Sequence, residues 1–234
     1  MDFNCALCTE NCALIKEGLV LYKTILKYGE DRFEEKRSEF IGYAQRVESE
    51  EEARAVVDKI KAMHKQATHN VYAYIIGENM GIQRYSDDGE PQGTAGVPVL
   101  DCIKKKGLTN VAVVVTRYFG GVLLGTGGLV RAYSHGAAIA LEAGEPVEKV
   151  LGRAVYFKLS YDLYGKIQYL CGTNDWYIED SVFTDEVEVK IYFESAIIED
   201  VKKSVIEATN GKVVIREDDE IYYYKMENRL YPEV

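Results

Sequence analysis

The run Val111–Val115, "VAVVV", limits most strongly what this chain can become. Five consecutive apolar residues leave no polar face, so "NVAVVVTRYF" reads as a buried strand. A glycine cluster follows at once: Gly120, Gly121, Gly125, Gly127 and Gly128. From Leu129 to Ala143 the residues are small and apolar, suited to a helix packed close against a sheet. Strand, glycine turn and helix thus form one continuous segment in "TRYFGGVLLGTGGLVRAYSHG".

The flanking sequence supplies its neighbours. "YKTIL" and "SEFIGYAQRV" read as strands separated by the charged "KYGEDRFEEKR". Ser49, with Glu52 three residues on, is a capping box before Ala53, Val56, Val57, Ile60 and Met63 at helical spacing. "NVYAYII" is a strand. "YSDDGEPQGTAGVP" is a loop leading into a helix with Pro98 in its first turn. Lys104, Lys105 and Lys106 fall in that helix's last turn, where cations suit the negative end of the dipole.

"GEPVEKV", Gly144–Val150, has the composition of a linker. Beyond it the pattern is strand, helix, strand, strand, helix, strand, with "KVVIRE" as the last strand. That order is the ferredoxin-like split unit. The fold class expected is therefore α+β in two domains, at residues 21–145 and 150–220, after a leader at 1–20.

Charge separates the two parts further. The formal net charge of −10 argues against a generally basic nucleic-acid binder. Residues 151–234 carry 10 Lys and Arg against 17 Asp and Glu, whereas residues 21–150 are close to neutral. No apolar run reaches the length of a membrane span, and the N-terminus lacks the basic leader of a signal peptide, so a cytoplasmic protein without a membrane partner is expected. The five cysteines form no regular framework; Cys5, Cys8 and Cys12 cluster but lack a fourth zinc ligand nearby. No metal or cofactor is expected.

The glycine cluster fails two phosphate fingerprints. Gly120 and Gly125 have Walker spacing, but Thr126 and Gly127 stand where Lys and Ser or Thr are needed. Gly125 and Gly127 start a dinucleotide pattern, but Val130 takes the third glycine's place. A helix N-terminus able to hold an anion remains, with Arg117 and Arg131 flanking it and Tyr118, Phe119 and Tyr133 available for stacking. A turn that only permits tight packing fits the same residues. Asp87, Asp88 and Glu90 in "SDDGE" are candidates for acid–base chemistry, with His69 beside a strand; a solvated turn with Gly89 at its tip is the plainer reading.

"KRSEFIGYA", "ATHNVYAY", "QRYSDDGEPQGTAGVPVL" and "VVVTRYFGGVLLGTGGLVRAY" together resemble the YigZ/IMPACT family over roughly residues 22–145. The remainder resembles the small C-terminal domain of bacterial YigZ proteins. The resemblance implies an α/β sandwich like the second domain of ribosomal protein S5, followed by a ferredoxin-like domain. The pair is similar to the fourth and fifth domains of elongation factor G. It also implies a link to translation, since eukaryotic IMPACT proteins regulate it by competing for the activator of a starvation-responsive kinase. That competition uses an additional N-terminal domain, whereas about twenty residues precede the match here.

Three readings follow. The first is a non-enzymatic, translation-linked protein that contacts RNA or another anion through Arg117, Tyr118, Gly120, Gly121, Gly125, Gly127, Gly128 and Arg131, with RNA or a ribosome-associated protein as partner. The second is an enzyme of unknown reaction using His69, Asp87, Asp88 and Glu90. The third is a protein-binding module.

Overall fold

The computed structural model describes residues 22–233, so the cysteine cluster and the leader lie outside the described residues. Two compact units divide between Glu148 and Lys149.

The first unit contains, in chain order, β1 (Tyr22–Ile25), β2 (Gly29–Glu35), β3 (Ser38–Arg46), α1 (Glu50–Met63), β4 (His69–Ile76), β5 (Ile82–Ser86), α2 (Gly96–Lys105), β6 (Val111–Tyr118) and α3 (Thr126–Ala143). A five-stranded sheet runs β2-β3-β6-β4-β5, so β6 is its central strand. Side chains alternate across a strand. Val111, Val113 and Val115 join the core of α2 and α3, while Ala112 and Val114 face the residues of α1. Helices cover both faces, which is why the sequence of β6 shows no polar alternation.

The small residues of α3 have a direct use. A Cβ at Gly42 of β3 would lie 2.1 Å from the Gly136 carbonyl oxygen, and one at Gly29 of β2 would lie 2.1 Å from that of Ala140. Backbone meets backbone there. The other helices keep their expected ends. Ser49 Oγ accepts from the Glu52 N–H at 3.1 Å, while the Glu52 carboxylate reaches back to the Glu48 N–H at 2.8 Å, one residue before the usual partner. Lys104 and Lys105 close α2, with Lys106 as its cap.

The second unit holds most of β7 (Pro146–Leu159), then α4 (Tyr161–Asn174), β8 (Ile178–Phe183), β9 (Val187–Glu194), α5 (Ile198–Thr209), β10 (Val214–Glu217), β11 (Ile221–Met226) and β12 (Arg229–Pro232). β10 pairs with β7, β7 with β9 and β9 with β8, all antiparallel. That is the 4-1-3-2 order of a ferredoxin-like sheet, with α4 and α5 supplying Leu163, Ile167, Val201 and Val205 to one core. The architecture is two-domain α+β. Among the described residues no helix is long and apolar enough to cross a membrane.

Four local expectations need correction. The charged "GEDRFEE" is strand β2, an edge strand whose charges discourage further pairing. The first two residues of the expected loop, Tyr85 and Ser86, belong instead to the opposite edge strand β5. "PVEKV" is not a linker but the start of the 14-residue β7. "KVVIRE" is not the last strand, because the hairpin β11–β12 follows and packs Tyr223 and Leu230 on Val150.

Replacing Gly42 by alanine should therefore destabilise the protein by at least about 1–3 kcal/mol, the usual scale of overpacking. Urea unfolding measures this. An unchanged midpoint would mean that α3 can move off the sheet freely.

Candidate functional site

The C-terminal end of β6 turns Arg117 toward the α2–α3 side, where it is buried. Its guanidinium lies over the rings of Phe40 and Phe119, 5.4 and 5.3 Å from the centroids. Nη1 is 2.6 Å from Glu90 Oε1, and Nη2 donates to Ser38 Oγ at 3.3 Å. The two ion-pair side chains are only 6% and 4% exposed. Tyr133 of α3 donates its hydroxyl to the same Glu90 oxygen at 2.8 Å. Burial, reinforced by the neighbouring carboxylate, pushes the Tyr133 phenol up, so it stays protonated and donating.

His69 stands directly opposite Arg117 in the β4–β6 register. Its Nδ1 lies 2.7 Å from the Asp88 carbonyl, and a carbonyl only accepts, so Nδ1 carries the proton. Nε2 faces Glu90 Oε1 at 3.8 Å, beyond hydrogen-bond reach.

The acidic loop is a turn with Gly89 exposed at its tip, but its three carboxylates turn back into the fold. The Glu90 N–H donates to the Asp87 carbonyl at 3.0 Å, with φ of +48° at Asp88 and +91° at Gly89. That tight turn swings Glu90 inward. Asp87 does something different: it accepts from the N–H groups of Gly93, Ala95 and Gly96 at 2.9, 3.1 and 2.8 Å, capping α2 from outside the helix. Asp88 accepts from the Asn70 N–H at 2.7 Å and pairs with Lys61 at 2.7 Å. His69, Asp88, Glu90 and Arg117 do come together, and each is engaged in holding the fold. Among the described residues no three His, Cys, Asp or Glu side chains are placed to hold a metal ion.

Tyr118 lies on the opposite face of the sheet from Arg117. Its hydroxyl bonds His64 Nδ1 at 2.9 Å, and His64 Nε2 bonds the Tyr43 hydroxyl at 2.6 Å. Neighbours in a strand point to opposite faces, so Arg117 and Tyr118 cannot act on one ligand.

The glycine turn begins where Gly120 rests on the β2–β3 hairpin. A Cβ there would lie 1.9 Å from the Arg37 carbonyl oxygen. The Gly120 N–H donates to Ser38 Oγ at 3.2 Å. Gly121 and Gly125, at φ +81° and +74°, bracket Val122, Leu123 and Leu124. Gly125 is the N-cap of α3 and provides no side-chain bond to the first N–H groups of Thr126, Gly127 and Gly128. The turn thus packs tightly at Gly120 and opens an uncapped helix end at Gly125–Gly128. Arg131 is exposed and lines a cavity of about 440 Å³ with Phe33, Lys36, Gly128 and His135, which Glu34 and Glu35 also border.

Arg117 and Arg131 therefore do not clasp one ligand: the first is committed to Glu90, and the second is open. Sequence reasoning missed Lys36 and Arg37, the two-residue hairpin turn between Glu35 and Ser38. Both adopt left-handed φ, +47° and +66°, where glycine or asparagine is usual. The only sequence signal was a basic dipeptide ending a charged run.

These features define a two-domain α+β protein whose glycine turn opens the uncapped N-terminus of a long helix beside exposed basic side chains. The Impact N-terminal domain matches residues 36–141, and a domain of unknown function, DUF1949, matches residues 157–212. IMPACT family member YvyE of Bacillus subtilis is 39% identical over 209 residues, covering 89% of this chain and 96% of that one. IMPACT family member YigZ of Escherichia coli is 32% identical over 180 residues, covering 76% and 88%. Protein IMPACT-B of Xenopus tropicalis is 37% identical over 106 residues, 43% of this chain and 32% of its own. A solved structure described as that of an hypothetical protein has a TM-score of 0.54 at 29% identity and covers 85% of this chain and 98% of its own. The chain belongs to the IMPACT family.

Glu90→Gln leaves the buried Arg117 charge uncompensated and should cost about 3–5 kcal/mol of stability. Asp87→Ala removes the acceptor shared by the Gly93, Ala95 and Gly96 N–H groups but leaves no buried charge, and a smaller loss of about 1–2 kcal/mol is expected. Equilibrium urea unfolding separates the two. Equal, small losses would show that the cluster does not hold the fold.

Proposed function

We propose that this protein is a non-enzymatic, translation-linked cytoplasmic protein that binds RNA backbone phosphate through the glycine turn. One observation carries the reading: α3 begins at Gly125–Gly128 without a side-chain cap, beside the exposed Arg131. Free N–H groups and the helix dipole favour an anion at such an end. Arg131 and Lys36, on the shared cavity, add charge-assisted hydrogen bonds.

The engagement of His69, Asp88 and Glu90 within the fold supports binding over acid–base catalysis. A general acid or base must reach a substrate, and the Glu90 side chain is only 4% exposed. The acidic second unit suits a protein partner, such as a ribosome-associated protein, better than a polyanion.

Arg131→Ala combined with Lys36→Ala should weaken binding to a short single-stranded RNA. The slope of log K against log salt should flatten by roughly 0.7 for each phosphate that is no longer neutralised. A salt titration followed by fluorescence anisotropy measures both. Unchanged affinity and slope would overturn the reading. Arg117 is unsuitable for this test because its replacement breaks the buried pair.

A further inference from the structure

The tip of the glycine turn presents side chains that a phosphate grip does not use. Leu123 is 83% exposed, and Phe119 and Val122 beside it are 44% and 38% exposed. Single exposed apolar residues are ordinary on a protein surface. Here three share one short turn, and the backbone fixes their display. Glycines at left-handed φ close both ends of the segment, and Leu124 anchors it in the core. Phe119 is held as well: Arg117 lies against its ring, and its N–H donates to Thr68 Oγ1 at 3.1 Å.

Basic groups flank this turn at both ends, with Glu34 and Glu35 next to Lys36 on one side. Lys36 and Arg37 form the hairpin turn on which Gly120 rests, and Arg131 follows one helical turn into α3. An apolar point flanked by exposed cations matches a nucleic acid at a place where a base has left the stack. The side chain enters the gap, and the cations hold the flanking phosphates. The size of the point argues against a protein partner, because one leucine with two half-exposed neighbours is far smaller than the roughly 800 Å² that each side of a stable interface contributes.

Resting on the RNA reading above, we propose that Leu123 is a wedge that enters an RNA helix at a bulged nucleotide, with the held ring of Phe119 receiving the displaced base. Single-stranded and bulged positions are where proteins reach RNA bases, and aromatic rings stack on them.

The test uses the full chain and two RNA hairpins. One carries a single bulged 2-aminopurine, and the other carries the same base fully paired. The unaltered protein should prefer the bulged hairpin by roughly tenfold, the scale of one base–side-chain stack. Binding should also raise the 2-aminopurine fluorescence as the base leaves its neighbours. Leu123→Ser should lose the preference and the fluorescence rise while still binding the paired hairpin, and Leu123→Phe should keep both. Arg131→Ala should weaken both hairpins alike. If the unaltered protein binds neither hairpin, the RNA reading itself fails. If it binds both without a fluorescence change, or if Leu123→Ser behaves like the unaltered protein, the wedge alone fails. Tighter binding to phosphatidylglycerol vesicles than to either hairpin, lost in Leu123→Ser, would assign the tip to a membrane surface and overturn the wedge.

Discussion

The Arg117–Glu90 ion pair ties together elements far apart in sequence. Arg117 ends β6, Glu90 comes from the loop before α2, Ser38 opens β3 and Tyr133 belongs to α3. A buried pair of this kind is weak evidence for extra stability, because desolvation offsets most of the Coulombic gain. Its consequence here is geometric. The guanidinium sits between Phe40 and Phe119, so the pair sets the direction in which the chain leaves the sheet. The glycine turn starts from that fixed point. Without the pair, the turn and the start of α3 would lose their common anchor.

The glycines then divide their roles by position. Gly29 and Gly42 let α3 lie backbone to backbone on β2 and β3, Gly136 leaves room for the Val115 side chain of β6, and Gly120 lets the turn rest on the hairpin tip. Those approaches are packing. Gly121 and Gly125 shape the loop, while Gly125–Gly128 leave the helix end uncapped. Within the motif, tight packing thus belongs to Gly120, while the anion site proposed above is confined to Gly125–Gly128. Lys36 and Arg37 bear on this division. Left-handed backbone costs a non-glycine residue on the order of 1–2 kcal/mol, yet both positions hold a basic residue.

Legibility in the sequence followed the range of the interactions involved. The β6–turn–α3 segment and the ferredoxin-like order could be read because periodicity and capping are local. β2 and β5 could not, because edge strands are half solvated and carry charges that look like loop. The hairpin β11–β12 turns at Glu227–Asn228 without the glycine that usually marks such a turn. At the site, residue types in the "SDDGE" loop were visible, but their roles were not. Asp87 caps a helix eight or nine residues on, and Glu90 meets Arg117 only through the tertiary fold. The separation of Arg117 from Tyr118 was within reach, since strand alternation alone puts them on opposite faces.

On the reading proposed above, the open end of α3 meets RNA while the Arg117–Glu90 cluster only supports it. Backbone amide shifts of the ¹⁵N-labelled full chain, followed during titration with a short RNA, test this most directly. Saturable shifts are expected at Leu123, Gly125, Thr126, Gly127 and Gly128 and at Lys36, with the Asp87-bound amides of Gly93, Ala95 and Gly96 unmoved. Shifts confined to the second unit, or centred on His69 and Glu90 while the α3 end stays unchanged, would contradict it.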